Sequence, residues 1–292
     1  MASAPGPLGF VGLGVMGEPM CRNLAAKCGA PVVALDLDPA PLRRLAVEGV
    51  RAAQSTEALA REAEVIFLSL PGGPEVAAVC AALLPHLRAG ACVVDLSTAP
   101  VALARELAGR CAARGIEFAD APVARTREAA VQGTLSIMVG APHATFGRIR
   151  PLLACMGSDV SHCGGPGAGQ LAKLMNNMVL AQNVVALAEA LAVAKAAGVD
   201  PRVLFEVLAK GSADSFALRN HGMKALLPGE FPERAFSAAY MLKDVGYALE
   251  LAAESGLALS GAENAWDLLE KTIAAGFGAE YFPALAKVVG RG

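Results

Sequence analysis

The chain has 292 residues, of which 54% are apolar and 18% charged, and its formal net charge is −2. That balance excludes a disordered polyelectrolyte, which has too little apolar surface to fold. With 25 basic against 27 acidic residues there is no basic excess to attract nucleic acid. At roughly 150 residues per domain the length suggests two domains.

Met1–Leu13 has no basic residue and is broken by Pro5, Gly6, Pro7 and Gly9, so it does not read as a secretory signal. Short apolar runs at Leu8–Gly12, Val32–Asp36, Val65–Leu70, Ala91–Leu96, Glu117–Asp120 and Leu135–Val139 predict strands. They are continuous rather than alternating, as in strands buried on both faces. Helical segments at Val15–Cys28, Pro39–Glu48, Pro74–Leu84 and Val101–Arg114 lie between them. This alternation predicts an α/β domain with a mostly parallel, doubly wound sheet. His162 and Asp159 are placed after its last strand.

Beyond about residue 165 no strand is expected. Gly164-Gly165-Pro166-Gly167 marks the boundary, giving domains 1–165 and 166–292. Gln170–Ala197 reads as one long interdomain helix ending at Gly198. Its apolar stretch holds Asn176, Asn177, Gln182, Asn183, Glu189 and Lys195, too many polar groups for a membrane span. Asp200-Pro201 starts the next helix, with Asp as cap and Pro in the first turn. Ser237–Ser255, Gly261–Ala275 and Pro283–Val288 complete an all-α second domain. The seven cysteines form no CxxC pair and the four histidines no HxxxH pair. The cysteines read as buried thiols of a cytoplasmic protein, and no metal site is expected.

Gly12-Leu13-Gly14-Val15-Met16-Gly17 is GxGxxG between a predicted strand and a predicted helix, the context of a dinucleotide-binding turn of Rossmann type. Gly12 makes the turn, Gly14 lets the backbone approach a pyrophosphate, and Gly17 packs helix on strand. The backbone of Val15 and Met16 at the helix N-terminus offers N–H groups to phosphate. Asp36 lies 19 residues after Gly17, where a carboxylate bonds the ribose 2′-OH of NAD. Leu37 and Asp38 beside it are not basic, so NAD is favoured over NADP. Arg43 and Arg44, one turn on, are the residues that would meet a 2′-phosphate.

Lys173 and Asn177 are i and i+4 on the long helix and share a face. A lysine held in such apolar surroundings tends toward a depressed pKa and can exchange a proton near neutrality. Hydride transfer to a carbonyl needs that proton, and an asparagine amide can orient the oxygen. On the helix alone, a lysine snorkelling to the surface is an equal reading.

Four blocks resemble the β-hydroxyacid (3-hydroxyisobutyrate) dehydrogenase family. They are Phe10-Val11-Gly12-Leu13-Gly14-Val15-Met16-Gly17-Glu18-Pro19-Met20, Asp95-Leu96-Ser97-Thr98, Asp120-Ala121-Pro122-Val123 with Gly133-Thr134-Leu135, and Gly167-x-Gly169-x-x-x-Lys173-x-x-Asn176-Asn177. Lys243-Asp244 matches a late family dipeptide, and the match runs from about residue 8 to 250. The resemblance implies that Lys173 is the general acid/base and Asn177 orients the substrate. It implies that Leu70 and Pro71 lie on the adenosine side, Thr98 beside the nicotinamide ribose, and Lys243 near the cofactor. It places Val123 in the substrate loop.

One segment departs from the family, which usually continues Asp-Ala-Pro-Val with Ser-Gly-Gly. Here it reads Ala124-Arg125-Thr126. Arg125 offers a positive fork for an oxyanion, and Thr126 a hydroxyl. The variant is similar to the sulfolactaldehyde reductase branch, which implies sulfonate recognition by Arg125. The bland alternative turns Arg125 outward to a neighbour such as Glu128. The expectation is thus an NAD-dependent dehydrogenase or semialdehyde reductase for a small anionic substrate, forming a homodimer or homotetramer, with no nucleic-acid or membrane partner. The carboxylate alternatives are 3-hydroxyisobutyrate, 4-hydroxybutyrate/succinic semialdehyde and tartronate semialdehyde. An imine reductase or a non-catalytic dinucleotide-binding module is the remaining alternative, and the lysine argues against both.

Overall fold

The computed structural model describes residues 6–233 and 235–290. The expected domains begin at residue 1 and end at residue 292, and those ends lie outside the described residues. The chain divides into two compact units, Met1–Lys173 and Leu174–Gly292.

The first unit is built on one nine-stranded sheet. Its strands are β1 (Leu8–Val11), β2 (Val32–Leu35), β3 (Arg51–Ala52), β4 (Val65–Leu68), β5 (Cys92–Asp95), β6 (Glu117–Asp120), β7 (Val123–Ala124), β8 (Leu135–Gly140) and β9 (Gly157–Gly164). The order is β3-β2-β1-β4-β5-β6-β8-β7, with β9 also on β8. β1 to β6 pair in parallel, whereas β8 runs antiparallel to β6 and β7 and parallel to β9.

The continuous apolar runs feed two cores, because successive strand residues face opposite sides. Leu8, Phe10, Val65 and Phe67 pack into one core. Val11, Ile66 and Leu68 pack into the other. Helices α1 (Gly17–Lys27), α2 (Pro39–Ala46), α3 (Thr56–Glu62), α4 (Gly73–Leu83), α5 (Val101–Ala112), α6 (Arg127–Gln132) and α7 (His143–Leu153) belong to this unit.

Several expectations need correction. Three strands, β3, β7 and β9, and three helices, α3, α6 and α7, are present without having been predicted. His162 and Asp159 lie on β9 rather than after the last strand. Cys163 is exposed and Cys28 half-buried, so the thiols are not uniformly internal. Burial pushes the Cys21 and Cys92 thiols up to about 12, which suits inert core residues.

Helix α8 (Ala168–Ala196) starts in the first unit and continues into the second. By length and composition alone it could cross a membrane. Yet Gln170, Lys173 and Asn177 on it are buried polar groups, which a lipid-facing span would have to desolvate. The second unit adds α9 (Pro201–Leu208), α10 (Ala238–Glu254) and α11 (Ser260–Thr272), with a wide π-type turn over Leu218–Leu226. Asp200 caps α9 by accepting from the Arg202 N–H, and Ser237 caps α10 through the Tyr240 N–H. Phe205, Leu218, Met241, Val245, Leu269 and Phe282 form its core.

Candidate active site

The three glycines of the turn differ in what surrounds them. Gly12 has φ +91° and no room for a Cβ, which would overlap the Ser69 carbonyl. A Cβ on Gly17 would overlap the Gly12 carbonyl, so helix and turn are in contact there. Gly14 faces open space, with no atom within 4 Å of the point a Cβ would occupy. Met16 precedes α1 without a side-chain cap, leaving the helix N-terminus available to an anion. Space above Gly14 and an uncapped helix start fit a dinucleotide pyrophosphate.

Asp36 ends up at this turn. Its carboxylate accepts the Leu13 N–H and, at 2.7 Å, the Asp38 N–H. Asp38 caps α2 through the Ala40 N–H at 2.9 Å. Arg44 is committed elsewhere, bonding both Glu18 carboxylate oxygens at 2.9 and 2.7 Å. Those bonds hold the Glu18 carboxyl below its usual range.

Leu70, after β4, is joined to Ser97, the residue before Thr98. The Leu70 N–H donates to the Ser97 Oγ at 2.9 Å, and the Ser97 N–H to Asp95 at 2.9 Å. Pro71 follows Leu70 and is exposed.

Asp120 at the end of β6 anchors the start of α8. It accepts the Gly167 N–H at 2.7 Å and the Gln170 N–H at 2.8 Å. Burial pushes this carboxyl up, against the pull of the backbone N–H groups. Gly169 lets the helix lie directly on the Met138 carbonyl and Asp120, where a Cβ would overlap both. One turn later comes Lys173, only 9% exposed.

In the second unit Asn177 is 2% exposed. Its amide donates to Asp244 at 2.6 Å, and Lys243 donates to the other Asp244 oxygen at 2.7 Å. Asp244 thus unites the two residues that the sequence had singled out separately.

The substrate-loop expectations fare differently. Val123 sits half-buried on β7. Arg125 takes the left-handed backbone, φ +85°, at a position where the family has glycine. Its guanidinium bonds the Thr134 carbonyl at 2.6 Å, Ser158 at 2.9 Å and Asp159 at 2.6 Å. Glu128 is not its partner, since that carboxylate accepts from Gln132 at 2.6 Å. Thr126 caps α6 through the Ala129 N–H. Both side chains therefore have structural partners where substrate contacts were expected: β9 brings Asp159 beside the loop, and an oxygen at 126 suits a helix start.

Known proteins resemble this chain in sequence and in fold. Residues 7–165 match a family model described as the NAD binding domain of 6-phosphogluconate dehydrogenase. Residues 167–289 match one described as NAD-binding of NADP-dependent 3-hydroxyisobutyrate dehydrogenase. The chain is 36% identical to 2-(hydroxymethyl)glutarate dehydrogenase of Eubacterium barkeri, over 96% of this chain and 94% of that protein. It is 38% identical to 3-hydroxyisobutyrate dehydrogenase of Pseudomonas aeruginosa, covering 83% and 84% respectively. The solved 3-hydroxyisobutyrate dehydrogenase of Mycobacterium tuberculosis with L-serine superimposes with a TM-score of 0.91 at 32% identity, over 98% of this chain and 99% of that one.

The chain belongs to the β-hydroxyacid dehydrogenase family. It is an oxidoreductase acting on CH–OH groups with a nicotinamide dinucleotide. For a β-hydroxyacid dehydrogenase the reading from sequence gave no role to the buried Asp120, Gln170 and Asp244. Two of them were visible as letters of the matched blocks. Only their partners, distant in sequence, show what they do.

Proposed function

We propose that this β-hydroxyacid dehydrogenase uses NAD(H) to interconvert a small 3-hydroxy carboxylate and its semialdehyde, with Lys173 moving the proton. The observation that carries this reading is the pair on α8: a buried lysine and, one turn on, a buried asparagine whose orientation is fixed by Asp244. When bound, the nicotinamide takes or gives the hydride. In oxidation the Lys173 amine accepts the hydroxyl proton as the hydride leaves carbon. In reduction the ammonium returns it to the oxygen. Asn177 spends one amide N–H on Asp244 and accepts from Asn176 at 3.0 Å. Its second N–H remains to donate to the substrate oxygen.

Support for NAD over NADP comes from the end of β2. The Asp36 carboxylate repels a 2′-phosphate, and Arg44 is held by Glu18. Support for a carboxylate over a sulfonate comes from Arg125, whose guanidinium would have to leave Asp159, Ser158 and Thr134 to read the anion.

The test is NADH oxidation with methylmalonate semialdehyde, succinic semialdehyde, tartronate semialdehyde, glyoxylate and 3-sulfolactaldehyde, with NADPH in parallel. The expected order puts methylmalonate or tartronate semialdehyde with NADH first, and a first place for succinic semialdehyde or glyoxylate overturns the 3-hydroxy assignment. A higher kcat/KM for 3-sulfolactaldehyde, or for NADPH, overturns the corresponding part. Lys173→Ala should lower kcat by about 10²–10⁴-fold with NADH still bound, and near-parental turnover would reject the mechanism.

A further inference from the structure

A run of hydrogen bonds inside Met1–Lys173 joins three strand ends to the helix turn that presents Lys173. It begins where the Leu70 N–H, after β4, meets Ser97 Oγ at 2.9 Å. Ser97, after β5, gives its carbonyl to Gln170 Nε2 at 2.8 Å. Gln170 Oε1 in turn accepts the Ala99 N–H at 3.1 Å. The Gln170 N–H reaches Asp120, the last residue of β6, at 2.8 Å. Gln170 is wholly buried.

The Gln170 amide uses one donor and one acceptor on the two backbone groups that bracket Thr98. It acts on that loop as a neighbouring strand would, with a matched N–H and C=O. A carboxamide does both at once, from separate donor and acceptor atoms. No water is needed, and its loss would leave a buried carbonyl and a buried N–H unpaired. Gln170 and Lys173 are i and i+3, neighbours on the helix surface. Whatever fixes Gln170 against the 97–99 loop therefore fixes Lys173 against it too.

We propose that Gln170 is a positioning residue: its amide locks the Thr98 loop to the first turn of α8 and so sets the separation between the nicotinamide-ribose seat and the Lys173 ammonium. The proposal rests on Lys173 being the proton carrier and on Thr98 seating the nicotinamide ribose. It assigns no chemistry to Gln170 itself. Misplacement of a reacting group by about 1 Å can cost about 10²-fold in rate, so the lock should register in kcat rather than in binding.

Two variants test it, assayed with NADH and methylmalonate semialdehyde. Gln170→Met removes both bonds. Gln170→Glu keeps the acceptor for Ala99 but can donate to the Ser97 carbonyl only when its carboxyl is protonated, and it serves as the decisive variant if Gln170→Met does not fold. Each should lower kcat about 10–100-fold, with substrate KM and the NADH dissociation constant from fluorescence both within about threefold. The kinetic isotope effect with 4-deuterated NADH should rise, because hydride transfer becomes slower than product release. The activity of Gln170→Glu relative to the parent should climb as pH falls from about 8 to about 6, as its carboxyl takes up the missing donor proton.

Coupling is read from a double-mutant cycle. In a Lys173→Ala background, Gln170→Glu should lower kcat by less than about twofold, since the residue it positions is gone. A lowered melting temperature with unchanged kcat and isotope effect per folded enzyme would reduce Gln170 to a structural clip and overturn the proposal. So would a weakened NADH affinity with unchanged kcat, or full additivity in the cycle. If Lys173→Ala alone retains turnover, the proton-carrier reading fails and this proposal falls with it. If Lys173→Ala is inactive and the Gln170 variants are not impaired, only the positioning role fails.

Discussion

Asn177 is held by Asp244: the side-chain amide meets the carboxylate at 2.6 Å, across 67 residues of sequence, and both groups are almost fully buried. The second carboxylate oxygen holds Lys243 at 2.7 Å, and that ammonium lies 4.9 Å from the centre of the Tyr247 ring. One buried acid thus holds an amide and an ammonium together.

Replacing that acid should separate stability from activity. Asp244→Ala takes the carboxylate acceptor away from the buried Asn177 amide and should cost about 2 kcal/mol of stability. Asp244→Asn keeps an acceptor for Asn177 but removes the charge opposite Lys243. It should fold with a smaller loss and show kcat/KM reduced about tenfold or more. Denaturant unfolding and steady-state kinetics on both variants check this. Equal kinetic damage with equal stability loss would point to unfolding alone.

A second prediction concerns acid. His221 is 5% exposed, lies among Phe216, Tyr281 and Phe282, and its Nε2 has no hydrogen-bond partner among the described residues. Burial, with a smaller push from Lys224, lowers its pKa from 6.5 to about 4. Tyr281, raised to about 12 by burial, stays a neutral phenol and hydrogen-bonds His221 Nδ1. The imidazole is therefore neutral in the folded chain. Below pH 6.5 the unfolded chain binds a proton there that the folded chain refuses. The stabilisation is fully present above that value and drains away as pH falls toward 4, by roughly 3 kcal/mol in all. Thermal melts from pH 7.5 down to pH 4.5 should show the fall, and His221→Gln should flatten it. An unchanged slope in that variant would place the acid sensitivity elsewhere.

Arg125 allows a sharp test of substrate class. Arg125→Gly restores the residue suited to φ +85°, relieving about 1 kcal/mol of backbone strain while giving up the bonds to Asp159, Ser158 and Thr134. Its melting temperature should stay within a few degrees of the parent. KM for a carboxylated semialdehyde should change less than about threefold, because the guanidinium faces Asp159. A tenfold or greater rise in KM would show that Arg125 swings to the substrate after all.

The Rossmann half was legible because its central strands are apolar on both faces, and a continuous run such as Val65–Leu68 admits few other readings. β9 escaped notice because it begins with Gly157 and two consecutive exposed polar residues, Ser158 and Asp159, and carries a single aliphatic residue, Val160, too little apolar signal for a strand. β3 and β7 are two residues each, too short for any periodicity. At the site, Lys173 and Asn177 are i and i+4 on one helix, a local relation that sequence shows directly. Gln170 meets Ser97 across 73 residues and Asn177 meets Asp244 across 67. Such pairings are set by strand order and helix packing, which no local pattern encodes. The Arg125 fork illustrates the same limit, since its charge was evident but the carboxylate that neutralises it sits on the unrecognised strand.

The three glycines of the nucleotide turn also offer a practical separation. Two are filled from within: a methyl group at 12 or 17 would strike the protein's own backbone and damage folding. At 14 the same methyl group would project into the volume a pyrophosphate needs and touch nothing of the chain. Gly14→Ala should therefore melt within about 1 kcal/mol of the parent, the usual scale of a glycine-to-alanine change at an unstrained site, yet bind NADH at least tenfold more weakly by fluorescence titration. Melting and binding lost together would mean that position 14 supports the fold. Such a variant is a well-folded blank for the cofactor, against which ligand-induced stabilisation or oligomer assembly can be measured without the nucleotide's own contribution.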